Sequence, residues 1–215
     1  MTTKEKIVAA AIQLFNERGV NEVTLRDIAA VVGMSSGNLA YHYKNKHALV
    51  EAAFQQMVAE RDQILSGVQQ IPSLDKIYRN NQLFIRLGKK YLFFYVDTVH
   101  ILRHYPSVGA RHRAYLKQSR DYIKGVLAYS VGSGNMRPEK VEGEYARLSH
   151  SIWMVMTFWL NQLEIRDKSC TPAEEEKLGF TIWDLVYPKL TSKGIDNYRK
   201  VFADNQKTIK RTDNQ

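Results

Sequence analysis

The sequence predicts an all-α fold, and three observations support this prediction. Apolar residues recur at helical spacing along the 215-residue chain, as Ile7, Ala11 and Leu14 do in the first helix. Helix start and stop signals separate these stripes, and no stretch alternates apolar and polar residues as a half-buried strand would. Hydrophobic residues make up 44% of the chain, which is enough to bury a core. The longest apolar runs, 91–96 and 152–160, fall far short of the ~20 residues of a membrane-spanning helix, so a membrane protein is not expected.

The N-terminal part contains four predicted helices. The first covers 4–18, where Thr2 and Glu5 fit a capping box at its start and Gly19 stands at its expected end. Two short helices follow, and a longer helix over 47–66 connects them to the rest of the chain.

A second predicted domain begins after the break at Pro72. Residues 74–105 are largely apolar and predict one long helix that Pro106 closes. The remaining predicted helices cover 110–130, 141–166 and 173–190. The sequence therefore predicts a domain over 1–66 and a second, all-helical domain over 72–215.

The segment 24–43, TLRDIAAVVGMSSGNLAYHY, predicts a helix-turn-helix. Thr24 with Asp27 fits a capping box at the start of the first helix. Gly33 can take the positive φ that a sharp turn requires, and Ser35 can cap the second helix through its hydroxyl. A motif of this kind places its second helix in the major groove of DNA.

The outward side chains of that second helix suit contact with DNA. Small hydrogen-bonding residues, a glycine that permits close approach and two aromatic residues stand there: Ser35, Ser36, Gly37, Asn38, Tyr41 and His42. Lys44 and Lys46 follow near the start of the next helix, where cations and exposed amides both favour phosphate.

This segment resembles the N-terminal domain of the tetracycline-repressor (TetR) family of bacterial regulators. The resemblance covers 4–65 and rests on Thr-Leu-Arg-Asp-Ile-Ala, a glycine turn, Ser-Ser-Gly and Leu-Ala-Tyr-His-Tyr-Lys-Asn-Lys in register. It implies a cytoplasmic, ligand-responsive homodimeric repressor that binds a palindromic operator. It also implies that Thr24 and Arg26 contact the DNA backbone and that Lys44 and Lys46 hold phosphates. Ala40 departs from the family pattern, which often has tyrosine there.

The resemblance further implies that the second domain binds a small-molecule effector and dimerises through its last two long helices. Its large apolar side chains can fill a core, line a pocket or contact a second copy, and the sequence leaves these uses open. The candidates for the effector pocket are Phe84, Tyr91, Phe94, Tyr95 and Trp159. The candidates for the dimer interface are Trp153, Met154, Phe158, Trp183 and Tyr187.

The positive charge of the chain, +9 in total, is concentrated in its middle. Residues 76–124 carry eleven basic and two acidic side chains. Three interpretations stay open, namely solvated helix faces, binding of an anionic effector and supplementary contacts to flanking DNA.

A competing hypothesis is an all-helical small-molecule-binding protein or enzyme in which 20–46 is only a structural hairpin. No nucleophile or phosphate-binding motif favours an enzyme. His100 and His104 stand four residues apart but lack a third ligand, so neither a metal nor a cofactor is expected. The single cysteine, Cys170, cannot form an internal disulfide, which fits a reducing cytoplasm.

Overall fold

The structure, a computed structural model, describes residues 1–66 and 74–212, with side chains through residue 202. These residues form α-helices, one 3₁₀ turn at Tyr187–Lys189 and no β-strand, which confirms the all-α prediction. The helices are α1 (Thr3–Glu22), α2 (Leu25–Val32), α3 (Ser36–His42), α4 (Lys46–Ser66), α5 (Leu74–Lys90), α6 (Leu92–Val96), α7 (Thr98–His104), α8 (Pro106–Gly132), α9 (Glu144–Ile165), α10 (Pro172–Val186) and α11 (Ser192–Thr212). Within the described residues, no helix is long and apolar enough to span a bilayer.

Helix α1 starts at the predicted capping box and breaks at the predicted glycine, but one further helical turn follows that the sequence does not predict. The Thr2 hydroxyl accepts from the Glu5 amide at 3.3 Å, and Glu5 Oε2 accepts from the Thr2 amide at 2.8 Å, which confirms the capping box. The helix stop predicted at Gly19 is confirmed as a break in α1. Gly19 has φ 77° and ψ 154°, which breaks the helix locally, but helical structure resumes and continues to Glu22.

The prediction of one long helix over 74–105 is wrong, because the chain forms α5, α6 and α7 there. The breaks fall at Tyr91 and Asp97. Neither position carries glycine or proline, so the apolar stripe runs through them without a visible stop signal. The predicted stop before Pro106 is confirmed, since α7 ends at His104. Pro106 also begins α8, where its missing N–H costs no intrahelical hydrogen bond.

The chain folds into two compact units that interleave along the sequence. Unit 1 consists of Met1–Gln63, Arg86–Lys117 and Leu160–Ser169, and unit 2 contains the remaining described residues. The core of unit 1 holds fully buried side chains from all of the first four helices, including Phe15, Ile28, Leu39 and Leu49. The core of unit 2 surrounds Trp183 on α10. The predicted break at Pro72 lies outside the described residues, and the predicted division into domains 1–66 and 72–215 stays a prediction.

Candidate DNA-binding surface

The start of α2 is fixed by reciprocal hydrogen bonds between Thr24 and Asp27. Thr24 Oγ1 accepts from the Asp27 amide at 3.2 Å, and Asp27 Oδ2 accepts from the Thr24 amide at 2.8 Å. The bonds from Thr24 are the main reason that the pKa of the Asp27 carboxyl is lowered, and Arg18, 3.7 Å away, adds to the effect. The predicted capping box is confirmed.

Gly33 makes the turn between α2 and α3. It has the left-handed conformation expected from the sequence, with φ 73° and ψ 36°. Its amide donates to the Ala30 carbonyl at 3.2 Å, and the Met34 amide donates to the Ala29 carbonyl at 3.0 Å. These bonds satisfy the last carbonyls of α2 and set the direction in which α3 leaves the turn.

Helix α3 has one buried face and one exposed face. Ser35 Oγ accepts from the Asn38 amide at 3.2 Å, so the predicted cap is present. Leu39 is fully buried and anchors the helix to the core of unit 1, whereas 87% of the Tyr41 side chain is exposed. The residues that face outward with Tyr41 are Ser36, Gly37, Asn38 and Ala40. His42 is half-buried, and its ring meets Tyr41 edge-on at 5.5 Å.

The cations beside α3 occupy two different environments. Arg26 and Lys44 are exposed. The uncharged Thr24, which is also predicted to contact the DNA backbone, is exposed as well. Lys46 is half-buried, and its ammonium donates to the Asn21 carbonyl at 2.9 Å. Desolvation lowers the pKa of Lys46, and nearby carboxylates oppose this effect. Lys46 therefore connects α4 to the α1–α2 turn, in addition to any role at phosphate.

Two contributors to this surface were missed in the sequence. Asn45 Oδ1 accepts from the Ala48 amide at 2.9 Å and so caps α4. An asparagine directly before a helix is a recognised cap signal, so the sequence could have predicted this role. Asp97 Oδ2 accepts from the Val20 amide at 3.0 Å, and no local pattern predicts a contact across that sequence separation.

Comparison with known proteins identifies the family. Residues 7–53 match the family model for bacterial regulatory proteins of the tetR family, and residues 53–198 match the TetR model for bacterial transcriptional repressors. The chain belongs to the TetR family.

Individual relatives agree with this assignment. The HTH-type transcriptional repressor KstR2 of Rhodococcus jostii (strain RHA1) is 25% identical over 166 residues, 73% of this chain and 79% of that protein. The biofilm operon negative regulator IcaR of Staphylococcus epidermidis is 34% identical over 99 residues, 44% of this chain and 52% of that protein. A crystal structure of a TetR-family regulator from Marinobacter aquaeolei VT8 superposes with a TM-score of 0.84 and 25% identity, covering 96% of this chain and 98% of that one. The TetR-family chain is thus a DNA-binding, ligand-responsive transcriptional regulator and not an enzyme.

The predicted pocket residues fall into both units. Tyr91, Phe94 and Tyr95 belong to unit 1, and Phe84 and Trp159 belong to unit 2. The Tyr91 side chain is fully buried, and its hydroxyl donates to the Glu60 carboxylate at 2.9 Å. Burial is the main reason that the pKa of Tyr91 is raised. Tyr91 therefore has a structural partner, and the pocket assignment stays a prediction.

The predicted interface residues differ in exposure. Met154 and Phe158 lie one helical turn apart on α9 and expose 45% and 43% of their surface, and Tyr187 exposes 39%. Trp153 is half-buried, and its ring stacks on that of His150 at 5.6 Å.

Trp183 lies in a core instead of on a surface. Only 4% of it is exposed, and its ring lies 5.3 Å from that of Tyr198 and 5.7 Å from that of Phe202, both on α11. The sequence could not reveal this, because α11 supplies the covering rings from fifteen or more residues further along the chain. Of the five candidates, Trp183 has the least surface to offer a second copy.

The basic side chains of 76–124 mostly face solvent. Salt bridges within one unit join Arg79 to Asp75, Lys90 to Glu60 and Arg111 to Glu51. This arrangement favours the interpretation as solvated helix faces over a concentrated anion site. His100 and His104 stack at 4.1 Å, and the described residues include no cluster of three potential metal ligands.

Proposed function

We propose that this TetR-family protein represses transcription as a homodimer that binds a palindromic operator, with one α3 helix in each half-site. The observation that carries the proposal is the division of α3 into a buried anchor, Leu39, and an exposed polar face that ends in Tyr41. A helix held in this way can present its outward residues to base edges in the major groove. The name of the relative KstR2, a repressor, favours repression over activation.

The contacts that we propose follow from exposure. Ser36, Gly37, Asn38, Tyr41 and His42 would face the bases and the adjoining backbone, and the Ser35 hydroxyl would assist at the helix start. Thr24, Arg26 and Lys44 are exposed and would contact phosphates. The Lys46 ammonium would donate to phosphate through the hydrogens that are not bonded to the Asn21 carbonyl.

We further propose that dimerisation uses the exposed apolar side of α9, where Met154 and Phe158 lie, together with Tyr187. Exposed large apolar groups at neighbouring helix turns are typical of interfaces. A small-molecule effector would bind in the helical region that includes the predicted aromatic residues and weaken DNA binding. Because coupling is reciprocal, DNA would weaken effector binding by the same factor. The protein would act in the cytoplasm, where its DNA partner is.

Selection of duplexes from fragmented genomic DNA by the purified protein tests this proposal. We expect recovery of a palindromic sequence, bound by two chains, whose affinity falls steeply as salt concentration rises. Asn38→Ala and Tyr41→Ala should change which bases are preferred, whereas Lys44→Ala should weaken all duplexes alike.

The matched control for Tyr41→Ala is Tyr129→Ala, which removes a half-buried tyrosine on α8 in unit 2 and should leave base preference unchanged. A protein that stays monomeric and retains no duplex at modest ionic strength would contradict the proposal. The competing small-molecule-binding hypothesis would then have to explain the exposed face of α3 by other means.

A further inference from the structure

The break in α1 at Gly19 is held by a residue from a distant part of the same unit. In an uninterrupted helix the Val20 amide would donate to the Asn16 carbonyl, but the positive φ of Gly19 prevents a regular turn there. The Val20 amide instead donates to Asp97 Oδ2 at 3.0 Å, in a fully buried residue. A buried amide without a partner is costly, so the carboxylate of Asp97 maintains the break in this form.

Asp97 occupies a position where aspartate normally serves its own helix. It precedes α7 as the N-cap residue, yet its side chain makes no cap hydrogen bond to that helix. Its carboxylate is directed to α1. The Asp97 side chain therefore stabilises the break in α1 and does not cap its own helix, α7.

One turn earlier on α1, the Asn16 side chain bonds to the backbone of the break between α5 and α6. The Asn16 amide group donates to the Lys90 carbonyl at 3.0 Å, and Asn16 Oδ1 accepts from the Phe93 amide at 2.9 Å. Asn16 thus satisfies the break between α5 and α6, as Asp97 satisfies the break in α1. Two successive turns of α1 are fixed to the two breaks of the 90–97 stretch.

The fixed point lies immediately before the DNA-binding surface. The next carbonyl along the chain, that of Asn21, accepts from Lys46, and Thr24 begins the cap of α2. Small errors in the placement of supporting groups are enough to misalign a binding constellation. We propose that Asp97 is a positioning residue for operator recognition, which acts by fixing the α1–α2 turn through the Val20 amide.

This inference rests on the proposed operator binding, and its test separates the two. The variants are Asp97→Ala, which removes the acceptor, and Asp97→Asn, which keeps one carbonyl oxygen in its place. The probes are a fluorescent duplex selected by the wild-type protein and an unrelated duplex of equal length. Amide exchange of the peptide covering 16–24 is followed in the DNA-free protein, and Asp184→Ala, an exposed aspartate on α10, is the control.

We expect Asp97→Ala to weaken binding of the selected duplex about tenfold, since a hydrogen bond to a charged acceptor is lost, and to leave unrelated duplex within about twofold. Exchange at Val20 should accelerate about tenfold, and Asp97→Asn should restore most of both effects. If Asp97→Ala does not fold, Asp97→Ser, whose side chain is shorter by one bond and carries no charge, replaces it.

Equal losses on both duplexes would indicate a merely structural role and would overturn the inference. Unchanged binding by Asp97→Ala, or a loss in Asp97→Asn as large as in Asp97→Ala, would overturn it too. If the wild-type protein selects no duplex, operator binding fails instead, and unchanged exchange at Val20 would still refute the proposed action of Asp97 on the turn.

Discussion

Helix ends are stabilised differently in residues 1–46 and in residues 86–117, although both stretches belong to unit 1. In the first stretch Thr2, Thr24 and Ser35 each accept from an amide three residues further on. In the second, the Phe93 amide depends on Asn16, 77 residues away in sequence. The starts of α1, α2 and α3 are thus fixed by neighbouring residues, whereas the start of α6 also depends on Asn16 of α1.

The largest effect is expected from Phe15→Ala. The Phe15 ring is fully buried and lies 5.3 Å from that of Phe93, so it joins the two stretches. Loss of a buried phenylalanine should reduce the free energy of unfolding by about 3–5 kcal/mol, measured by urea denaturation at fixed protein concentration. Val31→Ala, on a half-exposed side chain, should change it by less than about 0.5 kcal/mol. A loss below about 1 kcal/mol for Phe15→Ala would show that the stretches are stabilised independently.

The second effect concerns a buried histidine in the 86–117 stretch. His112 lies against Phe54 and Phe94, and burial lowers its pKa to about 4. Below its ordinary pKa of about 6.5 the unfolded chain takes up a proton that the folded chain does not. Stability from the neutral ring is therefore complete above pH 6.5 and is lost as the pH falls towards 4.

His112→Phe should remove this dependence. Between pH 7 and pH 4 the wild-type protein should lose roughly 3 kcal/mol more unfolding free energy than the variant, measured by urea denaturation at each pH. His104→Phe changes an exposed ring and should behave as wild type. Parallel pH curves for wild type and His112→Phe would contradict the prediction.

A smaller effect on the unfolding free energy is expected from loss of the Thr24 cap of α2. Thr24→Ala removes the acceptor of the Asp27 amide and should lower the unfolding free energy by about 1 kcal/mol. Thr24→Ser keeps the oxygen and should recover most of the loss. Thr181→Ala is the matched control, because the Thr181 hydroxyl only donates to the Lys177 carbonyl within α10. If the two alanine variants were equally stable, the local cap would not set the start of α2.

The smallest effect is expected on the salt dependence of DNA affinity, and it distinguishes Lys44 from Lys46. Lys44→Ala should reduce the slope of log affinity against log salt concentration by about 1, because one phosphate contact is lost. Lys46→Ala should reduce it less and should instead lower the melting temperature, since the Asn21 carbonyl loses its donor. Titration of labelled operator at several salt concentrations gives both slopes. Equal slopes with unchanged melting temperatures would assign both lysines to phosphate.

The features predictable from the sequence are those that depend on neighbouring residues. The all-α class, the caps at Thr24 and Ser35 and the turn at Gly33 follow from side chains within a few positions of the groups that they bond. The breaks at Tyr91 and Asp97 were missed because their partners lie on α1. The burial of Trp183 was missed for the same reason, since the covering rings come from α11.

The candidate site follows the same rule. The outward face of α3 could be predicted because helical spacing alone separates Leu39 from Tyr41. The position of Lys46 could not, because its partner Asn21 stands at the end of another helix. The sequence pattern thus predicted the residue types on α3, whereas a long-range contact decides how far Lys46 is exposed.

The placement of the three tryptophans has a practical optical consequence. Trp153, Trp159 and Trp183 all belong to unit 2, and none lies among α1, α2 and α3. Tryptophan emission from this chain therefore originates far along the sequence from α3. Binding of a small molecule beside one of these rings would be followed without any label, whereas following α3 would require a dye attached near it.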